Sequence, residues 1–311
     1  MAQSPESRSL PETLALKDGR TLAYARYGST NDPKTIPVFY FNGTPGSRLE
    51  CQIIDKAAQN LGIPLISTDR PGFGHSSFQP NRTLTQWAED VLELADHLDI
   101  PKFGIVGISG GGPYALACLH ELPRERLVAV TIVSSMYPWT FDTTGMMLPT
   151  RVLFWTARYS PWLVEKLFYL SMREILVETD KQKLIESIVS KVDSLPQPAA
   201  DKEVMKRIGD DDDLYGAYMA SPKEALRTSC QGTAWELHIF ANDWGFELGD
   251  LDGSRLTIWH GGLDVNVPVG MSKKASQVLP EAKFRTIDSE GHMSLIAQHR
   301  HEILSELLTR L

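Results

Sequence analysis

Apolar residues along this chain fall into short dense runs, separated by longer stretches in which they recur every three or four positions. The runs read as strands and the stretches as helices. Leu14-Ala15-Leu16 and Thr21-Leu22-Ala23-Tyr24-Ala25 flank Asp18-Gly19, which predicts a β-hairpin about a tight turn. From residue 36 strands alternate with helices. Strands are predicted at Ile36 to Phe41, Ile63 to Ser67, Phe103 to Ile108 and Leu127 to Val133, with helices at Arg48 to Asn60, Leu84 to Leu98 and Pro113 to Leu122. Such alternation implies right-handed βαβ units and a mostly parallel sheet with helices on both faces. After Ser135 the rhythm stops. Residues 137 to about 250 carry helical patterns rich in Met, Trp, Phe and Tyr, broken at Pro149, Pro161, Pro196, Pro198 and Pro222. Alternation resumes with a strand at Leu256 to Trp259, a helix near Gly270 to Leu279, a strand at Lys283 to Ile287 and a closing helix from Met293 to Leu311. The predicted organisation is one α/β core, 1-136 and 251-311, interrupted after its sixth strand by a helical cap, 137-250. Residues 1 to 12 are expected to form a loose lead, and no internal repeat is present.

With 311 residues, 42% of them hydrophobic and 23% charged, the chain has material for a large core. A formal net charge of -8 without any basic block argues against nucleic acid as a partner. The first residues are polar and lack the apolar centre of a signal peptide, and no apolar run approaches the length of a membrane span. Cys51, Cys118 and Cys230 form no CxxC pair, so reduced thiols in a cytoplasmic protein are expected. Oligomeric state is left open.

Chemistry in a parallel α/β sheet collects at the carboxyl ends of the strands. One strand runs into Gly107-Ile108-Ser109-Gly110-Gly111 and then directly into a helix. A strand-to-helix turn that sharp strains the backbone at its tip and needs glycine-sized neighbours, which leaves Ser109 exposed over a helix N-terminus. Asn42-Gly43-Thr44-Pro45-Gly46 follows another strand; the Thr44 and Gly110 backbone N–H groups are the candidate oxyanion donors. A serine hydroxyl needs a base and a group to orient that base. Asp264 follows one late strand and His292 follows the last, in the order Ser, Asp, His. Asp142, close after the sixth strand, is an alternative acid. Arg70 and His75, in Asp69-Arg70-Pro71-Gly72-Phe73-Gly74-His75-Ser76, read as scaffold for the neighbouring loops. Asp210-Asp211-Asp212-Asp213 has no histidine at ligand spacing and reads as a solvated loop or helix start, so no metal is expected.

Through Asn42 to Gly46, Asp69 to Ser76, Gly107 to Gly111, Asp264 and His292, the chain resembles the α/β-hydrolase fold family over residues 13 to 136 and 251 to 311. Many members carry His-Gly where this chain has Asn42-Gly43, so no role passes to that side chain. Serine at the elbow sets the chain apart from relatives that attack with an aspartate. The resemblance implies a cofactor-free serine hydrolase acting on an ester, thioester or lactone of a small, mostly apolar substrate. Ser109 would attack, His292 would carry the proton and Asp264 would orient the imidazole. Carbon–carbon bond hydrolysis by the same residues and ligand reception by a retained pocket are the alternatives. Phe154, Trp155, Tyr159 and Trp162 are the candidate pocket residues, with simple packing of the cap as the competing role.

Overall fold

The computed structural model describes residues 11–29 and 35–311. The loose lead expected over residues 1 to 12 therefore lies, through residue 10, outside the described residues, and a strand already begins at Glu12. Eight strands form one sheet in the order β1-β2-β4-β3-β5-β6-β7-β8. They are β1 (Glu12–Ala15), β2 (Thr21–Gly28), β3 (Val38–Phe41), β4 (Pro64–Thr68), β5 (Phe103–Ile108), β6 (Leu127–Val133), β7 (Leu256–Gly261) and β8 (Lys283–Ile287). The hairpin β1–β2 and the β2–β4 pair are antiparallel, and every other neighbouring pair is parallel.

Between the strands lie α1 (Gln52–Leu61), α2 (Trp87–His97), α3 (Gly111–Glu121) and α11 (Val269–Val278), and α12 (His292–Leu308) follows the last of them. Successive residues of β3 serve opposite faces: Phe39 and Phe41 enter one buried cluster, Val38 and Tyr40 the other. Helices cover both faces, so β3 and β5 are buried along their whole length and read as unbroken apolar runs. The chain passes from β3 to β4 on one side and returns to β5 on the other. Reversal of direction at β3 and β5 opens a crevice at their carboxyl ends, which brings the loops after Phe41 and Ile108 together.

The segment between β6 and β7 is helical: α4 (Leu148–Tyr159), α5 (Pro161–Val177), α6 (Lys181–Lys191), α7 (Ala199–Lys206), α8 (Asp212–Tyr215), α9 (Ser221–Ala225) and α10 (Gln231–Phe240). Most of the prolines expected to break helices instead begin them, at the first or second position of α4, α5 and α9 and just before α7. Proline fits there because the first turn has no use for its missing N–H. The inserted helices extend the core of the sheet. Phe154, Leu237, Phe240 and Trp244 join the cluster on one face, while Val204, Ile208, Leu214 and Ala217 join the other. Among the described residues no helix is long and apolar enough to cross a membrane.

Candidate active site

Ser109 sits at the turn from β5 into α3 with φ of 50°, in the left-handed region that costs an L-residue energy. The turn survives because its flanks lack side chains: a Cβ on Gly111 would stand 2.1 Å from the Phe41 carbonyl oxygen, and one on Gly107 2.8 Å from that of Gly111. The serine is thereby held above the helix N-terminus. His292 Nε2 lies 3.0 Å from Ser109 Oγ, and His292 Nδ1 lies 2.7 Å from Asp264 Oδ2. A carboxylate only accepts, so Nδ1 carries the proton and Nε2 faces the serine hydroxyl as an acceptor.

Asp264 is held on every side. Its Oδ1 accepts the Asn266 and Val267 N–H groups at 2.9 Å each, and His260 Nε2 stands 3.4 Å from Oδ2. Burial works to raise its carboxyl, but the charge of His292 and the hydrogen bonds of His260 and His292 outweigh that and hold it well below the usual carboxylate range. Burial pushes the His292 imidazole down, yet the charge and hydrogen bond of Asp264, aided by Asp201 and Glu50, leave it above its ordinary value. Asp142 is no partner in this chain of bonds; it is exposed and accepts from Thr144 N at 2.9 Å.

Thr44 and Gly110 meet across the crevice, so closely that a Cβ on Gly110 would stand 2.0 Å from Thr44 Oγ1. Neither of their backbone N–H groups donates to an acceptor among the described residues. Behind them Arg70 donates to the Asn42 carbonyl at 2.6 Å and the Gly43 carbonyl at 3.0 Å, and pairs with Glu236 at 2.7 Å and 2.9 Å. Thr44 Oγ1 also donates to Glu236. Asp69 accepts from Arg48 and from the His75 N–H, while the His75 ring lies 3.0 Å from Glu224. Arg70 and His75 thus brace loops, as the sequence suggested. Asn42 is buried and, among the described residues, its amide donates only to the adjoining Gly43 carbonyl, at 3.3 Å.

These groups open onto a cavity of about 350 Å³, roofed by Leu153, Phe154, Phe168, Leu237 and Phe240 of the inserted helices. Of the four expected pocket residues only Phe154 lines it. Trp155, Tyr159 and Trp162 are 63%, 67% and 61% exposed, and they face outward. Trp155 and Tyr159 share a helix face four positions apart, and the face that packs inward on α4 is that of Phe154 and Ala157. Asp211 accepts from the Asp213 and Leu214 N–H groups as the N-cap of α8, which gives the acidic run its role.

Three functional carboxylates escaped the sequence reading. Asp201 of α7, fully buried, accepts the backbone N–H groups of His292, Met293 and Ser294 at 3.0, 3.0 and 2.9 Å, capping the helix that carries His292. Glu236 braces the Thr44 loop from α10, and Glu50 reaches the cavity from the helical turn Arg48–Cys51. Charged residues on amphipathic helices pass for solvated faces, and their only sequence signal is position within an otherwise apolar stretch, as for Glu236 in Ala234-Trp235-Glu236-Leu237.

Residues 36–297 match the family defined by the α/β hydrolase fold. The chain belongs to that family. Within it, the chain is 31% identical over 127 residues to the 3-oxoadipate enol-lactonase 1 of Acinetobacter baylyi, covering 40% of this chain and 46% of the relative. It is 27% identical over 132 residues to the proline iminopeptidase of Lactobacillus crispatus, covering 40% and 45%. The chain therefore spans under half the length of these curated relatives. The solved structure of the enol-lactonase from Burkholderia xenovorans superposes with a TM-score of 0.63 at 17% identity, over 96% of this chain and all of that one. That likeness is one of fold.

Proposed function

We propose that the hydrolase cleaves a carboxylic ester or lactone of a small, mostly apolar molecule through an acyl-enzyme. The observation that carries this reading is the unbroken Ser109–His292–Asp264 chain of hydrogen bonds at the floor of a chamber walled by apolar side chains. Ser109 Oγ attacks the carbonyl carbon as its proton passes to His292 Nε2, and Asp264 stabilises the imidazolium that forms. Negative charge moves to the carbonyl oxygen, where the Thr44 and Gly110 N–H groups receive it without having to break other bonds. Collapse of the adduct expels the alkoxide, which takes the proton from His292 and leaves as the alcohol. Water then attacks the acyl-enzyme by the same route, releasing the acid and restoring Ser109. The inserted helices supply the roof, so Phe154, Phe168 and Phe240 set how long a substrate fits.

A fluorophosphonate probe tests the assignment, because only an activated serine reacts with it at neutral pH. Labelling is expected at Ser109, absent in Ser109→Ala and nearly absent in His292→Ala, with hydrolysis of short-chain esters lost in parallel. Labelling at another residue, or none in folded protein, would defeat the reading.

A further inference from the structure

Among the described residues that line the cavity, Glu50 is the single carboxylate. Its Oε1 accepts from the Gly43 N–H at 2.8 Å and from the Tyr40 hydroxyl at 2.9 Å, which fixes the side chain in place. Oε2 takes no hydrogen bond from any described residue, and the residual 9% exposure of Glu50 opens on the chamber. Arg70, a cation acting on Glu50, is already committed to Glu236 through two hydrogen bonds. Burial pushes the carboxyl up to about 7, against the opposing pull of the Gly43 N–H, the Tyr40 hydroxyl, Arg70 and His292. A bare acceptor in an apolar chamber is costly until a donor reaches it.

The distance to the chemistry is short. A Cβ on Gly43 would lie 3.4 Å from Glu50 Oε2 and 3.5 Å from Ser109 Cβ, so the two side chains face each other across the space that a residue larger than glycine would fill. A serine-bound acyl carbon, one or two further carbons and a hydrogen bond of about 2.8 Å span that gap. We propose that Glu50 Oε2 recognises a hydroxyl group one or two carbons from the scissile carbonyl, which makes hydroxyacyl esters the preferred substrates of the site. The proposal rests on the hydrolase reading above. A hydroxyl suits the position better than an ammonium, since a second cation beside His292 would oppose the imidazolium that forms as Ser109 attacks.

The test compares 4-nitrophenyl esters of butyrate, 3-hydroxybutyrate and 3-aminobutyrate on the wild-type protein and on Glu50→Gln. The substituted amide keeps an oxygen for the Gly43 N–H and the Tyr40 hydroxyl while turning a donor toward the cavity. Any shift of the loop acts on all three esters and cancels in their ratios. In assays at about pH 8.5, where the Glu50 carboxyl is ionised, the wild type is expected to favour the hydroxy ester over butyrate by about ten- to a hundredfold in kcat/KM, the range for a hydrogen bond to a charged group, and Glu50→Gln to bring the ratio to near one. A wild-type ratio near one, or the same ratio in both proteins, would overturn the proposal and leave Glu50 as a brace for the loop. Preference for the amino ester would overturn the choice of a hydroxyl. An enzyme that cleaves butyrate without discrimination refutes only this proposal, whereas one that cleaves no ester and takes no phosphonate at Ser109 refutes the hydrolase reading as well.

Discussion

In the proposed mechanism His292 has to be neutral to take the serine proton, and the three carboxylates acting on it, Asp264, Asp201 and Glu50, all favour its charged form. A base whose pKa is raised in this way loses its neutral form as pH falls through the raised value. kcat/KM is therefore expected to rise with pH through a midpoint above 6.5, the ordinary histidine value. Asp201→Asn removes a negative charge while retaining an acceptor for the helix N–H groups, so the midpoint is expected to move to lower pH; a pH-rate profile of the two proteins checks it. Asp264→Asn is expected to lower kcat by a factor on the order of 10³–10⁴ in a protein that still folds, because the imidazole would be held in the wrong tautomer. Asp142→Asn, out on an exposed turn, is expected to change kcat less than about twofold.

At the level of the element, α4 separates two kinds of aromatic residue that stand side by side in sequence. Phe154 is 4% exposed and stacks on Trp139 at 5.3 Å, whereas its neighbour Trp155 faces solvent. Phe154→Ala is expected to cost about 3–5 kcal/mol in denaturant unfolding and to alter chain-length preference among esters. Trp155→Ser combined with Trp162→Ser is expected to change stability by less than about 1 kcal/mol and leave butyrate ester turnover as it was. The strands were legible because β5 and β6 are dense apolar runs, interrupted in β6 only by Thr131, and the turn that follows β5 carries Ser109 and the glycines the elbow demands. Composition also marked the aromatic segment that becomes α4 and α5. It could not say which face turns inward, since that depends on partners far away in sequence. Asp201 and Glu236 were hidden for the same reason: each is a helix residue whose meaning comes from a backbone or guanidinium 91 and 166 positions away.

Across the whole molecule, the inserted helices and the sheet are joined by buried charge as well as by apolar contact. Arg70 and Glu236 are both fully buried, and Arg70 lies over the Tyr114 ring at 4.9 Å. Removing one member leaves the other unpaired away from water, so Arg70→Met or Glu236→Leu alone is expected to cost about 3–5 kcal/mol. The double substitution is expected to cost less than the sum of the two, and a double-mutant cycle in denaturant measures the difference.

Asp201 gives this union a consequence for anyone who would rebuild the protein. The helix that begins at His292, the proposed base, is capped by a residue of the insertion, so the insertion is no interchangeable lid. A chimera that receives the helical segment of another hydrolase would inherit a new roof and, unless the graft brings its own carboxylate to the same three N–H groups, a frayed start to the helix at His292. On the proposed mechanism, substrate range and proton transfer are in this chain inherited together.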